Sequence, residues 1–262
     1  MEIVVCIKQV PDTTEVKIDP VTNTLIRQGV PSIVNPFDKN AVEAALQLKE
    51  KHGGKVTVIS MGPPQAKDAL KECLAMGADA AVLISDRAFG GADTLATSYA
   101  LAAAIRKLGK VDIIFCGKQA IDGDTGQVGS ETAEHLGIAQ VTYVSKMDVD
   151  SDTAKVEREH EEGYEIIEVK LPVLVSVIKS AEYEPRFPSV RGTMKANRAE
   201  IPVWTAADVQ ADEEKIGLKG SPTKVSKIFS PPRRTQGVVI QKDSAQDSVV
   251  ELLQKLREAK IV

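Results

Sequence analysis

Short apolar runs rich in β-branched residues recur along the first half of the chain, at residues 2–8 (EIVVCIK), 55–60 (KVTVIS), 80–85 (AAVLIS) and 111–116 (VDIIFC). Runs that are apolar on both faces predict strands covered on both sides. Between them the pattern lengthens to a helical period. In residues 38–54 (DKNAVEAALQLKEKHGG), Ala41, Ala44, Ala45 and Leu48 form one stripe, acid enters near the start and Gly53 follows the end. Residues 63–78 carry prolines in the first turn and Gly77 as a C-terminal cap, and residues 92–109 open on Asp93 or Thr94 as N-cap and stop at Gly109. Strand and helix in alternation imply right-handed crossovers, so the first 140 residues are expected to build an α/β fold with a doubly wound, mostly parallel sheet.

Beyond residue 140 the period falls to two. Residues 141–149 (VTYVSKMDV), 153–171 (TAKVEREHEEGYEIIEVKL) and 172–180 (PVLVSVIKS) read as strands that extend the sheet or add an antiparallel edge, the second being a hairpin turning at HEEG. Residues 180–198 (SAEYEPRFPSVRGTMKANR) read as an exposed, non-repetitive loop, and residues 211–237 as a polar, Gly- and Pro-rich linker. The amphipathic close, DSVVELLQKLREAKIV, is too short to form a core alone and is expected to pack on another subunit. The predicted organisation is an α/β domain over 1–210, containing the hairpin 153–171 and the segment 183–195, followed by a linker and arm over 211–262.

Charge and composition narrow the function. With 33 basic and 37 acidic residues and a net charge of −4, nothing suggests nucleic acid, which needs clustered Lys and Arg. No apolar run approaches the roughly 20 residues of a spanning helix, and the opening MEIVVCIKQV lacks the layout of a signal peptide, so a cytoplasmic protein without membrane insertion is expected. Cys6, Cys73 and Cys116 are widely spaced within apolar segments, as buried thiols are. His52, His135 and His160 read as structural or exposed, and no side chain reads as an obligatory acid or base.

Ligands of open α/β sheets bind beyond the carboxyl ends of the strands. That rule selects Cys6–Asp12, Ser60–Pro64, Asp86–Thr94 and the glycine-rich stretch 117–129 (GKQAIDGDTGQVG). Neither GxGxxG nor a P-loop is present. The stretch 117–129 leads into a helical pattern over 126–137. If Asp124 or Thr125 caps that helix, its first N–H groups form an anion site, and Asp122 and Asp124 suit ribose hydroxyls rather than phosphate. A tight turn with a capping acid explains the same residues.

CIKQVPD, VNPFDKNAVEAAL, GADTLATSYALA, GKQAIDGDTGQVG, the hairpin VEREHEEGYEIIEVKLPVLVSV and EPRFPSVRGTMKA occur together in one order along almost the whole chain. The combination resembles the beta (small) subunits of electron-transfer flavoproteins. The hairpin carries the specificity, through the spacing of Val156, Arg158, Glu161, Glu162, Gly163, Glu165, Ile167 and Pro172.

The resemblance implies a heterodimer with an FAD-binding alpha subunit and an adenine-nucleotide site on this chain. Carried over, that site comprises Cys6; Asn35, Pro36, Phe37 and Asp38; Met61; and Lys118, Gln119, Ala120, Asp122, Gly123, Asp124, Thr125, Gly126, Gln127, Val128 and Gly129. One type in this family holds AMP there and only relays electrons from dehydrogenases. In the other, electron-bifurcating type, a second FAD accepts hydride from NADH and divides the electrons between the alpha-subunit FAD, which serves an acyl-CoA dehydrogenase-type partner, and ferredoxin or flavodoxin. The small residues of FGGADTLATS, with Gly90, Gly91, Asp93, Thr94 and Thr97, leave space for a flavin and a nicotinamide and favour the second type. Lys118 or the helix start after Thr125 would stabilise a reduced ring. Tyr183, Glu184, Pro185, Arg186, Phe187, Pro188, Arg191 and Met194 would dock redox partners. A free-standing stress-protein-type nucleotide module shares the fold class but lacks the hairpin, docking segment and arm.

Overall fold

A computed structural model describes residues 1–12, 31–226 and 237–262. The elements in chain order are β1 (Glu2–Cys6), β2 (Gln9–Pro11), β3 (Ser32–Val34), α1 (Pro36–His52), β4 (Lys55–Met61), α2 (Lys67–Met76), β5 (Ala80–Ile84), α3 (Thr94–Leu108), β6 (Ile113–Gly117), α4 (Val128–Leu136), β7 (Ala139–Asp150), β8 (Thr153–His160), β9 (Gly163–Lys170), β10 (Val173–Val177), α5 (Val190–Arg198), β11 (Val203–Trp204) and α6 (Ala245–Glu258). One sheet runs β11-β5-β4-β1-β6-β10-β7-β8-β9, and β2 pairs with β3 in a separate antiparallel ribbon.

The α/β class is as expected. Seven strands of the large sheet run parallel, while β8 and β9 add the antiparallel edge. The chain passes from β1 to β4 and β5 on one side, then returns across β1 to β6, so strand order reverses between β1 and β6. Val173–Val177, buried at all five positions, slots between β6 and β7. A run buried at every position belongs inside a sheet, not on its rim.

Apolar residues from the two faces make two cores. Ile3, Val5, Val56, Val58, Ile113 and Phe115 pack with α1 and α2, whereas Val4, Cys6, Ile59, Ile114 and Cys116 pack with α3. Alternation along each strand supplies both sets from the same residues. Asp93 caps α3 by accepting from Ala96 N at 3.1 Å, and Gly77 and Gly109 terminate α2 and α3 with positive φ.

Three expectations change. First, 180–198 is not a continuous loop: Ser189 accepts from Gly192 N at 2.9 Å and starts α5. The chain-capping serine outweighs the Pro–Gly composition, and glycine at 192 is required because a Cβ there would lie 2.2 Å from Ala75 O of α2. Second, the chain divides after Ser226, not at 210. Ile216 and Ser221 are buried on the α/β unit, and Thr223 N and Oγ1 donate to Asp93 at 3.0 and 2.8 Å, so apolar and hydrogen-bonding anchors hold a stretch whose composition reads as linker. Third, β7 does not keep period two. Val141, Val144, Met147 and Val149 face the core, and the register slips against both β10 and β8. Slips of this kind are β-bulges.

The second unit, Lys227–Val262, contains α6, which Ser244 caps by accepting from Asp247 N at 3.0 Å. None of the residues of α6 is buried, and Val249, Val250, Leu252 and Leu253 are exposed.

Candidate functional site

The loops after β1 and β6 flank the place where strand order reverses, and the start of α1 ties them together. Asp38, buried in the first turn of α1, accepts from Lys8 N at 2.7 Å and from Gly117 N at 3.0 Å. Its neighbour Asn35 is fully buried, donates to Gln119 O at 2.8 Å and accepts from Ile121 N at 3.1 Å. Two side chains from one helix start therefore hold four backbone groups of two loops. Glycine at 117 permits this: a Cβ there would lie 2.3 Å from Asp38 Oδ1. Burial pushes the Asp38 carboxyl up to about 7 despite these hydrogen bonds.

Cys6 and Cys116 are register partners on β1 and β6, and burial pushes the Cys6 thiol up to about 12 and that of Cys116 in the same direction. Both are inert packing groups at physiological pH. The Cys116 sulfur fixes the approach of α4, since a Cβ on Gly129 would come within 2.6 Å of it. The start of α4 is thus set directly against the end of β6.

The loop 117–129 matches the expectation in position but not in every role. The N-cap of α4 is Gln127, with no side-chain cap, and neither Asp124 nor Thr125 reaches it. Asp124 takes a left-handed φ of 52° and accepts from Gln119 Nε2 at 2.8 Å. Asp122, expected on the ribose side, is ion-paired to Lys8 Nζ at 2.6 Å. Both acids are engaged within the fold, Asp122 by Lys8 from the loop after β1 and Asp124 by the Gln119 amide of its own loop. Residues 121–127 are exposed, nothing lies within 4 Å of a Cβ on Gly123, and Gly126 has a φ of 64°.

The segment after β5 closes on α4 from the side. Thr94 Oγ1 donates to Glu131 Oε1 at 3.1 Å, while Glu131 Oε2 is buried without a partner among the described residues. Thr97 is half-buried one turn into α3, and Met61, at the end of β4, packs against the same core. The space expected over the glycines is partly filled: a Cβ on Gly91 would meet the Leu218 side chain at 2.6 Å. A strap from beyond residue 210 could not be foreseen from local composition. Pro36 is exposed and Phe37 half-buried at the head of α1.

Of the expected docking residues, Tyr183 and Arg186 serve the fold instead. Tyr183 is 2% exposed, and its carbonyl accepts from Asn40 Nδ2 at 2.7 Å. Arg186 donates to Glu43 at 2.8 and 2.9 Å and also pairs with Glu50. Burial pushes the Glu43 carboxyl up, but the bonds from Arg186 outweigh it and hold the group below the usual carboxylate range. A buried acid on α1 had to find its cation, and no local pattern reveals a partner 143 positions away. Phe187 (94%), just before α5, and Val190 (81%) and Met194 (55%) on that strongly amphipathic helix remain exposed, as does Arg191.

Sequence comparison adds independent findings. A family model described as the electron transfer flavoprotein domain matches residues 22–209. "Electron transfer flavoprotein subunit beta" of Megasphaera elsdenii is 57% identical over 271 residues, covering 100% of both chains. The protein of that name from Clostridium acetobutylicum is 60% identical over 258 residues, covering 98% of each. "Caffeyl-CoA reductase-Etf complex subunit CarD" of Acetobacterium woodii is 52% identical over 263 residues, again covering 100% of both.

Proposed function

Because the chain belongs to the electron transfer flavoprotein family as a beta subunit, we propose that it works in a heterodimer with an alpha subunit and holds a second FAD on the carboxyl edge of its sheet. There it takes hydride from NADH, and the electrons part toward the alpha-subunit FAD and toward ferredoxin or flavodoxin. The observation that carries the reading is the uncapped start of α4, set against β6 at the strand-order reversal behind an exposed glycine-rich loop. N–H groups at such a helix start favour phosphate, with roughly +0.5 charge equivalent behind them.

The residues fit a nucleotide. Asn35 and Asp38 hold the loop's shape from below, and Lys8 and Gln119 occupy the two acids that would otherwise repel phosphate. Gly123 lets a ligand approach the backbone, and the unpartnered Glu131 oxygen is an acceptor for a ligand hydroxyl. A bound flavin supplies the hydride acceptor and the one-electron chemistry. The chain's share is to bind, orient and dock. Phe187, Val190 and Met194 form the docking face for an acyl-CoA dehydrogenase-type partner, a class that agrees with the caffeyl-CoA reductase complex to which the Acetobacterium woodii relative's name assigns it.

Leu218 over Gly91 favours a second reading, in which a smaller ligand, AMP, fills the site as a structural group and the subunit only relays electrons. Nucleotide released from the denatured, co-expressed heterodimer decides between them. Two FAD and no AMP per heterodimer support the bifurcating reading; one FAD with one AMP overturns it.

A further inference from the structure

The slips that bring Val144 and Met147 into the core also re-aim a neighbouring side chain of β7. Between Val141 and Val144 β7 places two residues where β10 places one, Ser176, between Val175 and Val177, so the strand carries an extra residue, and a second slip follows against β8 between Val144 and Lys146. The bulged residue Tyr143 has a φ of 58°, a left-handed conformation that a bulky side chain enters only at a cost. Its N–H is satisfied by Ser176 Oγ at 3.3 Å, yet the residue is turned out of the core and is 42% exposed. Bulges beside functional sites re-aim side chains in this way.

The re-aimed ring meets one group. Lys118 Nζ lies 5.0 Å from the ring centroid, within cation–π range. Lys118 is the first residue after β6, and its N–H is anchored on Val177 O at 2.8 Å, at the level of the bulge. Among the described residues no carboxylate lies within ion-pair distance of its ammonium, in contrast to Lys8, which Asp122 occupies. The cation at the root of loop 117–129 is therefore held by a π face, with no carboxylate among the described residues to neutralise it.

We propose that Tyr143 is a positioning residue: its ring, presented by the strained bulge, holds the Lys118 ammonium over the mouth of loop 117–129, where the ammonium meets the phosphates of the bound nucleotide. The inference rests on the nucleotide site proposed above. A carboxylate in place of the ring would fix the lysine equally well but cancel the charge that phosphate needs.

The test is the rate at which the purified heterodimer loses its beta-site nucleotide into charcoal-containing buffer, at low and high salt, quantified by chromatography. Tyr143→Leu is expected to lose nucleotide about fivefold faster, the scale of a partly exposed cation–π contact, with a flatter salt dependence. Tyr143→Phe keeps the π face and should restore parental retention. Tyr143→Gly should release nucleotide as fast as the Leu variant with an unchanged or higher thermal midpoint, since glycine adopts the same φ without strain. In a Lys118→Met background, Tyr143→Leu should have no further effect. Parental retention in Tyr143→Leu, or an undiminished effect in the Lys118→Met background, overturns this inference alone. A parental heterodimer that yields no beta-site nucleotide overturns the functional reading, and this inference with it.

Discussion

Replacing Asp38 by Asn tests the clamp beneath the site through its pH dependence. Burial moves the Asp38 carboxyl from an ordinary 3.8 up to about 7, so between those values the folded chain holds a proton that the unfolded chain has released. Stability therefore falls as pH rises through this window: the contribution is fully present below the unfolded value, declines across the window, and is gone above about pH 7. At about 1.4 kcal/mol per unit, the swing between pH 5 and pH 8 is about 3 kcal/mol. Asn does not titrate. It also offers a single acceptor where Lys8 N and Gly117 N need two, which adds a pH-independent cost of about 1–3 kcal/mol. Urea unfolding of parent and variant in parallel, at pH 5, 6, 7 and 8, separates the two effects. The variant should be less stable at pH 5 and should recover relative to the parent by about 3 kcal/mol at pH 8. A difference that stays flat within about 1 kcal/mol, or that moves against the variant as pH rises, would refute the buried-carboxylate reasoning.

Other perturbations probe separate parts. Gly129→Ala forces a Cβ to within 2.6 Å of the Cys116 sulfur and should cost about 1–3 kcal/mol in urea unfolding, with partial recovery in the Gly129→Ala, Cys116→Ala double variant. Arg186→Ala strands the buried Glu43 carboxylate and should destabilise by about 3 kcal/mol, while Arg186→Lys, which cannot reproduce the fork, should recover less than half of that; thermal melts distinguish the two. Phe187→Ser should leave the melting temperature within about 1 °C, because an exposed side chain contributes little, yet slow electron delivery to the dehydrogenase partner in a coupled dye-reduction assay. An unchanged rate there would remove Phe187 from the docking surface.

The α/β architecture was legible because it rests on local signals: apolar runs at β1, β4, β5 and β6, Asp93 as a cap, and glycines closing α2 and α3. The loop 117–129 was legible because the strand-end rule needs only strand order. What escaped the sequence depends on contacts between distant segments. Asp93 donates its N–H to Ser221 Oγ at 2.8 Å and accepts from Thr223, both roughly 130 positions away, and Arg186 reaches Glu43 across 143. The Tyr143 bulge hid for another reason: a run such as VTYVSKMDV supports an alternating register as well as a slipped one, and only packing of Val144 and Met147 into the core selects between them.

The same distinction explains how an acidic loop can serve an anion. Read alone, Asp122 and Asp124 argue against phosphate. In the fold, Lys8 from the loop after β1 occupies Asp122, and Gln119 satisfies Asp124, so each acid shapes the loop without aiming its charge at the α4 start. Asp38 lies deeper still, its carboxyl raised toward neutrality by burial and spent on two backbone N–H groups. Lys118 is the reverse case, a cation whose partner among the described residues is a ring and not a carboxylate. The electrostatics of the loop thus depend less on which charges it contains than on which of them the rest of the fold has already engaged.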